Sequence, residues 1–245
     1  MAPLCASDVL RIWETGASLD PARRALAILA AASPGALPDA LRALPVGRRD
    51  LRLLEIREET FGSRLNAVLS CPRCAERVEF DLKTSDLLAR ADPGIEATES
   101  ELRIDDWSLR YRMPTAGDLA EVAGSRERDH AVALLVERCV IEAKRGGEPV
   151  AREEIPPQVL SLMNGGMARQ DPLADVVLDF VCPACGEAGQ TLFDIGGYLW
   201  EELRAQAVRL LHEVHTLARA YGWREPDILA LNAARRQAYL ELATS

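Results

Sequence analysis

The chain has 245 residues, is 48% hydrophobic and carries a net charge of −9. That apolar content supports a real core, in one large domain or two small ones, and excludes global disorder. The acidic balance argues against a sequence-independent grip on nucleic acid and against docking on anionic lipid, since both rely on clustered basic residues.

The opening segment MAPLCASDVLRIWE lacks the basic region and apolar stretch of a secretion signal. No apolar run approaches the ~18 residues of a membrane span. A cytoplasmic location is therefore expected. Six cysteines in a reducing compartment are not read as a disulfide framework.

In chain order, ASDVLRIWETG predicts a helix with Ser7 as N-cap and Gly16 as its end. A second helix follows, with Asp20 as cap, Pro21 at the first helical position and Pro34-Gly35 as the stop. A short helix lies between Pro38 and Pro45. Leu51, Leu53, Leu54 and Ile56 then fit either a helix or a strand. Leu65 to Leu82 reads as two short strands with CPRC (71–74) between them. LRIDDWSLRYRM reads as a hairpin turning at Asp105-Asp106. Thr115 caps a helix.

Val132, Leu135, Val136, Cys139, Val140 and Ala143 follow helical spacing and predict one buried face, ended by Gly146-Gly147. IPPQVLSLMNGGMARQDP predicts one or two helices. ADVVLDFVCPACGEAGQTLFDI returns to strand, cysteine turn, strand. Leu199, Leu203, Ala207, Leu210, Leu211, Val214, Leu217, Ala218 and Tyr221 define a long helix ended by Gly222. A short helix and a last one capped by Asn232 complete the chain. No fixed-period repeat is present.

The chemistry-bearing signal is the pair of Cys-Pro-x-Cys motifs, Cys71/Cys74 and Cys182/Cys185. Each sits between alternating runs, the pattern of a knuckle at a hairpin tip. Two facing knuckles supply four thiolates to one closed, structural Zn2+ per chain, with no coordination position left for substrate. The 107 residues 75–181 separate the knuckles. Closing such a loop costs roughly 4 kcal/mol, against on the order of 10–16 kcal/mol from a structural zinc site. The rival readings are two redox pairs or another metal or cluster. A reactive pair favours a helix N-terminus, whereas these pairs are flanked by strands. Cys139 reads as a small core residue and Cys5 as a free thiol.

Other candidates are weaker. His212 and His215 lie three apart, without the His-Glu-x-x-His pattern of a zinc protease. His130 reads as a polar flank. The glycine pairs in RGGEP, NGGMA and IGGYLW read as breaks between elements, and none has phosphate-cradling spacing. No nucleophile elbow is found. No catalytic constellation assembles, so no enzymatic activity and no small-molecule substrate are expected. The four tryptophans are spread along the chain and read as core. Arg224, Arg235 and Arg236 in a helix-turn-helix outline leave a nucleic-acid-binding or regulatory zinc ribbon as the alternative.

The expected fold is therefore α+β: a four-cysteine zinc ribbon split by a long insertion and flanked by N- and C-terminal α-helical segments. Its parts are an N-terminal helical segment (1–60), the split ribbon (61–196) with an inserted hairpin and helices (86–175), and a C-terminal helical segment (197–245), all in one unit.

Taken together, LRIWETGASLDPARRALAILAAA, REETFGSRLNAVLSCPRCAERVEFDL, LRYRMPTAGDLAEVA, DPLADVVLDFVCPACGE and LHEVHTLARAYGWREPDILALNAARRQAYLEL resemble one known group over nearly the whole chain. It is the baseplate hub assembly chaperone family of T-even-type contractile phages, in the form found in contractile injection system clusters. The resemblance implies a non-enzymatic assembly factor or minor hub component. Its partners would be hub, spike or other tail-assembly proteins, and Cys71, Cys74, Cys182 and Cys185 would be its metal ligands. Incorporation into a tail-like particle is a further implication.

Overall fold

The computed structural model describes residues 3–89, 99–125 and 127–244. Residues 90–98 and 126 of the expected insertion, and the two chain ends, lie outside them. In chain order the elements are α1 (Ala6–Gly16), α2 (Pro21–Ala32), α3 (Pro38–Arg42), α4 (Val46–Phe61), β1 (Arg64–Ser70), β2 (Arg77–Lys83) and α5 (Thr84–Leu88). Then come β3 (Glu99–Ile104), β4 (Trp107–Arg112), α6 (Ala116–Val122), α7 (Arg128–Cys139), β5 (Val140–Arg145), β6 (Glu148–Pro149) and α8 (Pro157–Gln170). β7 (Val177–Val181), β8 (Ala188–Leu192), α9 (Ile195–Tyr221), α10 (Glu225–Leu229) and α11 (Ala233–Thr244) complete the chain.

The main core joins the two ends of the sequence. Ile28 and Leu29 of α2, Leu53 and Ile56 of α4, and Leu199 and Leu203 of α9 are all buried in one cluster. The same cluster takes in Leu65 from β1 and Leu178 from β7, so both cysteine hairpins are rooted in the helical body. The Arg57 guanidinium of α4, itself 3% exposed, makes two hydrogen bonds to Glu202 of α9, at 2.9 and 2.7 Å. It also donates to the Gly62 carbonyl. The Tyr198 hydroxyl accepts from the Asn66 N–H at 3.0 Å, which ties β1 to α9.

Capping is partly supplied from far along the chain. Asp20 accepts the Arg23 N–H at 3.0 Å and Asn232 the Arg235 N–H at 2.8 Å, both as the sequence predicts. α4 is capped instead by Asp171, 124 residues downstream, through a 2.8 Å bond from the Gly47 N–H. A Cβ on residue 47 would stand 1.7 Å from that carboxylate, so the close approach requires glycine. Burial pushes the Asp171 carboxyl pKa up. α1 begins two residues earlier than expected, with Cys5 rather than Ser7 at the N-cap.

The insertion carries its own four-stranded sheet in the order β3-β4-β5-β6. Trp107, Leu109 and Tyr111 of β4 and Val140 and Ala143 of β5 pack against Val159 and Met163 of α8. Here the reading of one continuous helix through Ala143 is corrected. The helix stops at Cys139, and Val140-Ile141 begin a strand that pairs with β4. β-branched residues favour that state when a neighbouring strand offers its edge. Gly146 and Gly147, at φ +58° and +92°, form the turn into β6 and do not end a helix. Two further glycine pairs lie inside helices and not in breaks: Gly165-Gly166 in α8 and Gly196-Gly197 in the first turn of α9. The ambiguous segment around Leu53 is helical.

The insertion is fastened to the helical body by main-chain bonds, from the Val46 N–H to Pro114 O at 3.1 Å and from the Ala116 N–H to Leu44 O at 2.8 Å. Beside this junction Asp118 is 2% exposed. It accepts from Arg112 at 2.6 and 3.0 Å, from Arg138 at 2.7 Å, and from the Thr115 N–H and hydroxyl at 2.9 and 2.8 Å. Burial alone would raise its pKa, but these donors outweigh burial and hold the carboxyl well below the usual range.

Replacing Asp118 by Asn leaves two guanidiniums without their shared anion. It is expected to cost about 3 kcal/mol near neutral pH, at the lower end for a broken buried pair because both arginines reach solvent. A depressed folded-state pKa contributes stability above the unfolded value of about 3.9, and that stability is lost as pH falls through the folded value. Urea titrations should therefore show the wild-type advantage shrinking below about pH 4. An advantage that is constant across pH would contradict this assignment.

Candidate metal centre

Each cysteine pair sits at the tip of a two-stranded antiparallel hairpin. β1 and β2 register from Arg64↔Lys83 to Ser70↔Arg77, and β7 and β8 from Val177↔Leu192 to Val181↔Ala188. The two tips are built alike. Cys71 N–H donates to Glu76 O at 2.8 Å and Ala75 N–H to Cys71 O at 2.8 Å. In the second tip Cys182 N–H donates to Glu187 O at 2.7 Å and Gly186 N–H to Cys182 O at 3.0 Å. Both turns place the residue after the second cysteine in the left-handed region: Ala75 at φ +60° and Gly186 at +72°. The hairpins remain separate two-stranded sheets.

The tips face each other. The four sulfurs of Cys71, Cys74, Cys182 and Cys185 lie within 4.8 Å of one another. Across the tips Cys74–Cys182 is 3.6 Å and Cys71–Cys185 is 3.8 Å. These are far longer than a disulfide at about 2.05 Å. A tetrahedron with metal–sulfur bonds of about 2.3 Å has edges of about 3.8 Å, so the spacing suits one tetrahedral cation. Cys71 and Cys182 are buried with Val78 and Phe180, while Cys74 is exposed. Gly189 lies opposite Phe180, whose ring occupies the space that a side chain there would need.

The electrostatics suit a cation as well. N–H groups of Cys185 and Ala184 lower the Cys182 pKa to about 7, the Cys185 donor having the larger effect. The Glu76 N–H favours a Cys74 thiolate, but the neighbouring sulfurs and burial outweigh it, and that pKa is pushed up to about 12. Cys185 is raised too, despite the Glu187 N–H. Thiolates packed this closely oppose one another's ionisation, and a central dication removes that opposition.

The remaining candidates lie elsewhere. Cys139 is buried, and desolvation raises its thiol pKa to about 11. Cys5 is exposed. His130, His212 and His215 are exposed and stand apart from the cysteine cluster. Trp107 and Trp200 are buried, Trp13 and Trp223 only partly. Of the arginines considered for phosphate, Arg236 is 6% exposed and bound to Glu213 at 2.8 Å and Leu231 O at 2.6 Å, and Arg224 pairs with Asp227. The sequence reading missed Asp118 and its arginines, although Thr115-x-x-Asp118 is a legible capping box.

A family model described as T4 bacteriophage base plate protein matches residues 27–200. The chain belongs to this family. The matched stretch holds all four clustered cysteines, the inserted sheet and the start of α9, and it leaves out α1 and the α10–α11 arm. No curated protein and no solved structure matches the chain. Among the described residues of this baseplate-family protein, no helix is long and apolar enough to cross a membrane.

The likeness of the two tips can be tested at the left-handed position, where one has alanine and the other glycine. Ala75→Gly should stabilise by about 0.5–1 kcal/mol, because relief of the left-handed strain exceeds the added chain entropy. Gly186→Ala should destabilise by a similar amount. Chemical denaturation of both variants measures this, and two neutral substitutions would show that the turns carry no strain.

Proposed function

We propose that this baseplate-family protein is a non-enzymatic, zinc-binding assembly factor or minor component of the baseplate hub of a contractile phage tail or contractile injection system. The observation that carries the reading is the convergence of four thiols, within 4.8 Å, inside the stretch matched by the baseplate family. Zn2+ suits the donor set because four thiolates at tetrahedral spacing close a structural site. Bound there, zinc supplies cross-linking of the two hairpins. Cys71 and Cys74 hold it from one side, Cys182 and Cys185 from the other. Partners would be hub, spike or other tail-assembly proteins, with incorporation into the tail particle as one end point. The alternative of a nucleic-acid-binding regulator has the net charge of −9 against it.

Two measurements test the proposal. Purified protein should hold about one zinc per chain. Cys71→Ser or Cys182→Ser should lose the metal together with much of the thermal stability. Full zinc content and an unchanged melting curve in Cys71→Ser would rule out the shared site. Affinity purification from cells expressing the complete tail gene cluster should recover hub or spike proteins. Failure to recover any of them under gentle conditions would remove the assembly reading while leaving the metal site standing.

A further inference from the structure

α7 is poorly covered for a helix of its composition. Only Cys139 is buried among its residues. Val132 is 48% exposed, and Leu134, Leu135 and Val136 are only partly covered. Between α7 and α8 lies a cleft of about 410 Å³, walled by Val132, Leu135 and Val136 on one side and Leu160, Met163 and Met167 on the other. A groove between two helices with flexible methionines on one wall matches the geometry that accepts an amphipathic helix.

The charges select the kind of helix. Arg128, Val132, Leu135 and Cys139 form one row at helical spacing along α7. Asp129 and Glu137 lie off this row. Arg128 is exposed at the first end of the row. At the other end Arg112 and Arg138, 31% and 43% exposed, share the single carboxylate of Asp118, and Arg138 directly precedes the groove-lining Cys139. Two cations sharing one anion leave positive charge beside the groove. Each end of the apolar row is therefore marked by arginine.

We propose that the α7–α8 groove is a docking site for an amphipathic helix of another protein, with apolar anchors on one face and acidic residues flanking them. In a tail-assembly setting that helix would belong to a baseplate partner, so the identity of the partner rests on the proposed function. The groove itself is tested without any tail protein.

The probe is a fluorescein-labelled amphipathic peptide with leucines on one face and glutamates on the other. Its counterpart carries lysines in place of the glutamates. Fluorescence anisotropy with the full-length protein should show the acidic peptide binding at least about tenfold more tightly than the basic one. Val132→Glu should weaken acidic-peptide binding by about tenfold or more, and Arg128→Glu should reduce the preference for acidic over basic peptide. Both positions are exposed, and circular dichroism checks that the fold is retained. Equal affinity for the two peptides, or unchanged binding by Val132→Glu, overturns the proposal. Sedimentation provides a separate check: a wild-type dimer that Val132→Glu dissolves would mean that a second copy of the chain covers the groove, which also overturns it.

Discussion

Two hairpin tips separated by the 107 residues 75–181 meet on four sulfur atoms, and most of the architecture follows from that meeting. Neither hairpin is large enough to stand alone, since isolated two-stranded ribbons are marginal in water. Each is held at its base by the helical core, through Leu65 in one and Leu178 in the other. A cation shared at the tips would fix the opposite end. The hairpins would then be clamped at both ends, and the inserted sheet would leave and return through a defined gap.

The helical body supplies the other half of the arrangement. α9 packs against α1, α2 and α4, so the last third of the chain completes a core begun by the first quarter. Polar contacts fix how these parts meet. Arg57–Glu202 and Tyr198–Asn66 set α9 against α4 and β1, and Asp171 caps α4 from the segment between α8 and β7. Such buried polar contacts add modest net stability, but an alternative packing would leave their groups unpaired at a cost of several kcal/mol. They select one arrangement among those that apolar burial alone would allow.

Local rules made much of this legible in the sequence. The knuckles, the hairpin at Asp105-Asp106, the caps at Asp20, Thr115 and Asn232, and the buried row Leu199, Leu203, Ala207, Leu210, Val214 and Leu217 follow from spacing and residue type, whereas Leu211 and Tyr221, read onto the same face, are exposed. The helix-to-strand switch after Cys139 was not legible in that way. Helical spacing continues through Val140 and Ala143, and only the presence of β4 alongside makes the extended state better. The glycine pairs misled for a similar reason, since packing tolerates Gly165-Gly166 and Gly196-Gly197 within helices. Contacts between distant residues, such as Asp171 with Gly47, have no local signature. The four-cysteine cluster could be anticipated across a long separation only because the same motif occurs twice.

The position of the second knuckle has a consequence for synthesis. At about 5–20 residues per second, roughly 5–20 s pass between the emergence of Cys74 and that of Cys182. During that interval the first pair has no partner sulfurs, and α1, α2 and α4 have no α9 to bury against. The nascent chain therefore carries half of the cysteine cluster and half a core until the segment from residue 182 onward is made. Both are completed only once Cys182, Cys185 and α9 have been made, within a few tens of residues of one another.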